Sequence, residues 1–200
     1  MKTNTSRCQF QLKIMYGHAF YIDPVTRLER IMRRKPRTVR INMIGSGEIP
    51  ADFALLIRSV LQNRSPRTRI ITNASSSLQN GSVLVWLLGD QRIIRSDARI
   101  YFRPTTLSDE EEKEENGTWI AGEPKYRDSY SELNLHEFHY ARVLRLINEF
   151  LPVKEIAGRL IGADALRQFG LVESEKMDEV LTAAFGKRER PKSLVSVAPI

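Results

Sequence analysis

The stretch Thr68–Pro104, TRIITNASSSLQNGSVLVWLLGDQRIIRSDARIYFRP, decides the fold. Arg69–Thr72 is short and β-branched, as buried parallel strands are. Ser75, Ser76, Ser77, Leu78, Gln79, Asn80 and Gly81 come next as a Ser/Gly loop. From about Ser82 to Asp90 the chain is apolar almost all round, which predicts a helix buried on most sides. Ile93 and Ile94 form a brief strand, Asp97-Ala98 turns the chain, and Arg99–Arg103 is a further strand closed by Pro104. This order sets a helix N-terminus, with its unpaired N–H groups, behind a polar loop at the end of a strand. Backbone N–H groups of Leu78, Gln79, Asn80 and Gly81 at such a corner are suited to bind an oxyanion or polarise a carbonyl oxygen.

Working outward towards the N-terminus, Cys8–Ile22 alternates enough for one or two strands bent at Gly17. Val25–Arg34 reads as a short basic helix and Val39–Ile44 as a strand ended by Gly45-Ser46-Gly47. That glycine pair matches neither dinucleotide nor P-loop spacing, so it reads as a simple turn into a helix. Pro50 suits the first turn of that helix, whose expected apolar face is Phe53, Leu56, Ile57, Val60 and Leu61.

Towards the C-terminus, residues 105–131 are an acidic polar insertion, DEEEKEE at 109–115, too charged to pack. Trp119 reads as a hydrophobic anchor within it, whereas Trp86 belongs to the core. A long amphipathic helix over 131–151 comes after it, with Leu135, Phe138, Val143, Leu146, Ile147 and Phe150 as its stripe and Pro152 as its end. Helices over Val153–Leu160, Ala163–Phe169 and Lys176–Phe185 complete the pattern, Gly170 capping the second and Leu171-Val172 leading outward. The expected organisation is a basic segment 1–38, an α/β domain 39–186 carrying the insertion, and a disordered tail 187–200. Alternation of strands with helices predicts a mostly parallel α/β core. No internal repeats are evident.

The chain has 200 residues, 42% of them hydrophobic. That suits one domain with a real core. No run of eighteen apolar residues predicts a membrane span, and the N-terminus lacks the apolar stretch of a signal peptide. A lone Cys8 excludes an internal disulfide, so a cytoplasmic location is expected. The net charge of +7 is uneven: residues 1–40 hold 10 Lys/Arg against 2 acids, densest in RIMRRKPR at Arg30–Arg37. This run reads as a solvated face or a dock for the acidic insertion. Nucleic-acid binding is the alternative, although no aromatic interleaving, zinc spacing or helix-turn-helix pattern accompanies it.

Three ordered pieces resemble the Clp-protease/crotonase superfamily. GSVLVWLLGDQRIIRSDARIYF (81–102) is similar to the Gly–helix–(Cys/Gly)–Asp–x–Arg–Ile–x–x–x–Asp–Ala pattern of crotonases and to the segment after the Clp nucleophile. LHEFHYARVLRLINEFL (135–151) resembles the handle helix by which Clp rings interdigitate. ADALRQFGLVE (163–173) resembles an element near the end of both families. The resemblance implies a ClpP/crotonase-like α/β fold, a mostly parallel sheet flanked by helices with a long handle-like helix. It also implies a homo-oligomer through helix 131–151 and a Clp-type partner subunit or ATPase, with no membrane partner and no cofactor.

The resemblance implies a serine–histidine site, and here it departs. Anchored on Gly81, the nucleophile position falls on Gln79; anchored on Arg99, the histidine position falls on Arg103. Gln has no nucleophilic oxygen of useful basicity, and Arg cannot take a proton from a hydroxyl. The two changes remove the same reaction, so a non-catalytic oligomeric or regulatory subunit is the expectation. One alternative is an active serine peptidase using Ser75, Ser76, Ser77 or Ser82 with His18, His136 or His139 as base. Those serines equally suit turn-forming and capping. His136 and His139 share a helix face near Glu137, which makes two ligands without a third, and no metal is expected. A further alternative is a crotonase-like acyl-CoA enzyme, the 78–81 backbone polarising a thioester and basic residues holding the coenzyme phosphate.

Overall fold

The residues TVRINMI put Val39, Ile41 and Met43 on one side of a strand, and all three are buried. The same alternation holds in the neighbouring strand Arg7–Lys13, whereas the strand on the other side, Arg69–Ala74, is buried on both faces after its first residue. The structure, a computed structural model, describes residues 7–14, 22–105 and 132–172. Its elements are β1 (Arg7–Lys13), α1 (Ile22–Arg33), β2 (Thr38–Ile44), β3 (Gly47–Ile49), α2 (Ala51–Gln62), β4 (Arg69–Ala74) and β5 (Leu78–Asn80). After these come α3 (Gly81–Leu87), β6 (Gln91–Ile94), β7 (Arg99–Tyr101), α4 (Glu132–Asn148), α5 (Val153–Ile156), β8 (Ile161–Gly162) and α6 (Ala163–Gln168).

Two sheets form. In the first, β1-β2-β4-β6 are parallel throughout. In the second, of order β3-β5-β7-β8, only β8 runs antiparallel to its neighbour. The chain therefore repeats one unit three times: a strand of the first sheet, a three-residue strand of the second, then a helix. This repeat of geometry has no counterpart in the residues, and no internal repeat is legible in the sequence. The short strands β3 and β5 fall in Gly- and Ser-rich segments that read as loops, because three residues are too few to show a period of two.

Phe10, Leu12, Ile41, Met43 and Ile70 carry the inner face of the first sheet into a core shared with α1, α2 and α3. Every residue of α3 is buried, as its all-round apolar sequence requires. Trp86 anchors it: Nε1 donates to the Ile93 carbonyl (3.1 Å), and the Thr72 hydroxyl donates to the Trp86 carbonyl (2.6 Å).

Some boundaries differ from the sequence reading. The buried face of α4 is Tyr140, Ala141, Val143, Leu144 and Ile147, while Leu135 is 53% exposed. The helical period is kept, but Tyr140 is core because its hydroxyl finds partners there. The Val153 helix stops at Ile156, since Gly158 turns at φ +79° and donates its N–H to the Phe102 carbonyl (2.8 Å). Leu171 and Val172 are buried instead of leading outward. Gly170, at φ +68°, closes α6 as a Schellman cap, with Leu171 N–H on the Leu166 carbonyl (3.0 Å). Gly17, the insertion with Trp119, the Lys176–Phe185 helix and the tail lie outside the described residues, as does His18. Among the described residues no helix is long and apolar enough to cross a membrane.

Candidate active-site corner

The corner forms where β5 gives way to α3. Strand β5 lies between β3 and β7, with Gly47 beside Leu78 and Leu78 beside Ile100. Within it Leu78 and Asn80 are buried, and Gln79, on the opposite side, is exposed. Its backbone pairs on both sides, so the N–H groups of Leu78 and Gln79 belong to the ladder region. Asn80 then turns sharply, at φ +46° and ψ −117°. That geometry matches the first central residue of a type II′ turn, normally the domain of glycine. A nucleophile carried on a strand-to-helix junction sits at just such a strained residue. At Gly81 a Cβ would collide with the Ile49 carbonyl oxygen, so β3 and α3 approach this closely only because glycine stands there.

Both ends of the Asn80 amide are held. Its Nδ2 donates to Glu48 Oε2 (2.8 Å), and its Oδ1 accepts the Arg103 N–H (3.1 Å). The Tyr140 hydroxyl lies 2.9 Å from Asn80 Oδ1 and 2.7 Å from the Arg103 carbonyl, giving its single proton to one or the other. Burial holds the Tyr140 phenol well above its ordinary value; the Arg103 charge opposes this, and the Glu48 and Glu137 carboxylates add to it. It is a proton donor at any physiological pH.

The Arg103 side chain turns towards α4. Its guanidinium grips Glu137 with two nitrogens (2.6 and 3.1 Å) and stacks 4.1 Å from the Tyr140 ring centroid. Hydrogen bonding to Glu137 raises the Arg103 pKa further, against the opposing effect of burial. The Thr105 hydroxyl adds a third donor to Glu137 (3.0 Å). Arg103 is thus a permanent cation clamped between the end of β7 and helix α4.

The serine hydroxyls serve the backbone. Ser75 donates to the Met43 carbonyl (3.0 Å), and Ser77 accepts the Arg99 N–H (3.0 Å). Ser82, fully buried, accepts the Ile49 N–H (2.8 Å) and donates to the Gly47 carbonyl (3.1 Å), tying β3 to α3. Ser76 is half-buried in the turn between β4 and β5. On α4, His136 is exposed and His139 half-buried. Burial lowers the His139 pKa below 6.5; Asp52 on α2 opposes this, while His136 and Arg142 add to it. Among the described residues no three His, Cys, Asp or Glu side chains gather as metal ligands.

Of the residues singled out from the sequence, the structure brings together Asn80, Gly81 and Arg103, and leaves Gln79 facing solvent. Sequence reading missed Glu48, Glu137 as an ion-pair partner, and Tyr140. The Glu137–Tyr140 spacing of three, on one helix face, was the available signal.

Parallel strands, short crossing strands and a long arm helix around this corner define the α/β fold of the Clp proteases, as the three sequence pieces imply. The chain is similar in structure to a mutant form of ClpP1 from Listeria monocytogenes, with TM-score 0.52, 13% identity, and coverage of 84% of this chain and 90% of that one. It is also similar to the ClpP protease catalytic domain from Plasmodium falciparum, with TM-score 0.50, 12% identity, and coverage of 83% and 82%. No protein-family profile and no curated protein matches the sequence. The likeness is one of fold.

Proposed function

We propose that this chain is a ClpP-like protein without peptidase activity, acting as an oligomeric non-catalytic or regulatory subunit beside a Clp-type subunit or ATPase. The observation that carries the reading is Asn80. An amide occupies the strained junction where a nucleophile would sit, one residue after the Gln79 position expected from the sequence, and its oxygen and nitrogen are both held by neighbours. An amide has no proton to lose at neutral pH, and Arg103 has no lone pair to receive one. The serine hydroxyls with partners bond to backbone groups, which leaves them structural. Oligomerisation is supported by Leu135, a large apolar side chain 53% exposed on the arm helix α4.

A fluorophosphonate probe, read by intact mass and peptide mapping, tests the first half. Folded protein should take no adduct, and a stoichiometric adduct on Ser75, Ser76, Ser77 or Ser82 refutes the proposal in favour of a serine hydrolase. Light scattering tests the second: a multimer is expected, reduced to smaller species by Leu135→Lys without loss of helicity. A monodisperse monomer refutes it.

A further inference from the structure

The first sheet turns one face to the helices; on the other face Asn42, Ile71, Asn73 and Ile93 are buried, while the β1 side and the N-terminal row are open. Register aligns Arg7, Thr38 and Arg69 in one row across β1, β2 and β4, and Gln9 beside Arg40 in the next. Arg7, Gln9 and Gln11 are exposed, as is Arg69, and Arg40 is half-buried. None of the four strands contains an Asp or Glu. Neighbouring strands lie about 4.8 Å apart, so Arg7 and Arg69 stand about 10 Å apart, roughly three nucleotides of rise along one strand.

The N-terminal edge of the same sheet extends the charge. Arg69 N–H donates to the Arg37 carbonyl (2.9 Å), which draws the turn after α1 against the start of β4. Lys35, Arg37 and Arg67 are exposed on that edge. None of these six cations is paired with a carboxylate of the described residues, whereas nearby Arg33 and Arg64 are neutralised by Glu29 and Asp90. The surface lies at the end of the sheet opposite the Asn80 corner, because each strand runs away from this edge towards the second sheet.

We propose that this face and edge bind the phosphate backbone of a nucleic acid without regard to sequence. An acidic protein offers the same charge, but the buried core of a protein interface is more apolar and poorer in charge than this face. Among the described residues, the exposed large hydrophobic side chains Leu56, Leu135, Leu160 and Phe169 all lie off this sheet. Between the cations stand amides, from Gln9 and Gln11, in keeping with the polar, wet and positive character of nucleic-acid interfaces. No aromatic platform is present in the four strands to stack bases beyond Phe10, which is buried, so binding rests on phosphates.

The test is fluorescence anisotropy of the full chain with a labelled single-stranded RNA of about 20 nucleotides, across about 50 to 200 mM salt. With about five phosphates engaged, log K should fall with log salt at a slope of about −3.5, a loss of about 100-fold over that range. Arg7→Gln with Arg69→Gln should flatten the slope by about 1.4 and leave the unfolding midpoint unchanged. A shuffled RNA should bind equally. Three results overturn the proposal: no binding at the lowest salt, a slope indifferent to the double substitution, or displacement of RNA by polyglutamate of equal length at equal concentration. The last would assign the face to an acidic protein.

Discussion

Replacing Asn80 by alanine and by glycine separates the two things this residue does. Its Nδ2 makes a charge-assisted bond to Glu48, worth about 1.5–2 kcal/mol. Its Oδ1 accepts the Arg103 N–H, and removing it strands a part-buried donor at a cost of about 1–2 kcal/mol. The Tyr140 hydroxyl adds nothing further, because its proton can turn wholly to the Arg103 carbonyl 2.7 Å away. Asn80→Ala should therefore destabilise the protein by about 2.5–4 kcal/mol, while a Cβ remains on a backbone of positive φ. Asn80→Gly loses the same bonds but relaxes that backbone, and should be about 1 kcal/mol more stable than the alanine variant. Equilibrium urea unfolding reads both as midpoint shifts at unchanged slope. A cost below about 1 kcal/mol for alanine means the network does not hold the corner. Glycine no better than alanine means the strained junction is not a feature of the folded chain. Either result removes the physical basis for reading Asn80 as a structural replacement for a nucleophile.

Other consequences of the same corner and its supports can be measured directly. Gly81→Ala drives a methyl into the Ile49 backbone carbonyl and should cost about 3 kcal/mol or prevent folding, which thermal unfolding reads directly. Glu137→Gln weakens the grip on Arg103, whose side chain is 40% exposed, so a loss of only about 1 kcal/mol is expected; a loss several times larger in urea unfolding would show that the pair is better shielded than its exposure implies. His139 has its folded pKa depressed below 6.5 by burial, so the unfolded chain binds more protons between those values. Stability should be complete above pH 6.5 and fall as pH drops towards the folded value. His139→Gln should flatten that part of the unfolding midpoint against pH, and an unchanged profile would count against it. Trp86→Phe loses the Nε1 bond to Ile93 and core volume, and should cost about 2–3 kcal/mol by urea unfolding.

Much of the fold is legible along the chain because strand and helix periods are local. The residues of β2, β4 and β6, the all-apolar α3, the polar turn at Asp97-Ala98 and the glycine cap of α6 each announce themselves within a few positions. Their order suffices to predict a parallel α/β core, and Arg103 is placed just beyond the strand that follows Asp97-Ala98. Tertiary structure alone decided the make-up of the corner. Pairing of β5 between β3 and β7 fixes which side of a three-residue strand is buried, and a slip of one residue exchanges Gln79 with Asn80. The partners of Asn80 come from β3, from the end of β7 and from α4, separated from it by 32, 23 and 60 positions. No local pattern encodes such a meeting, since it arises only when the second sheet and the arm helix close over the same strand end.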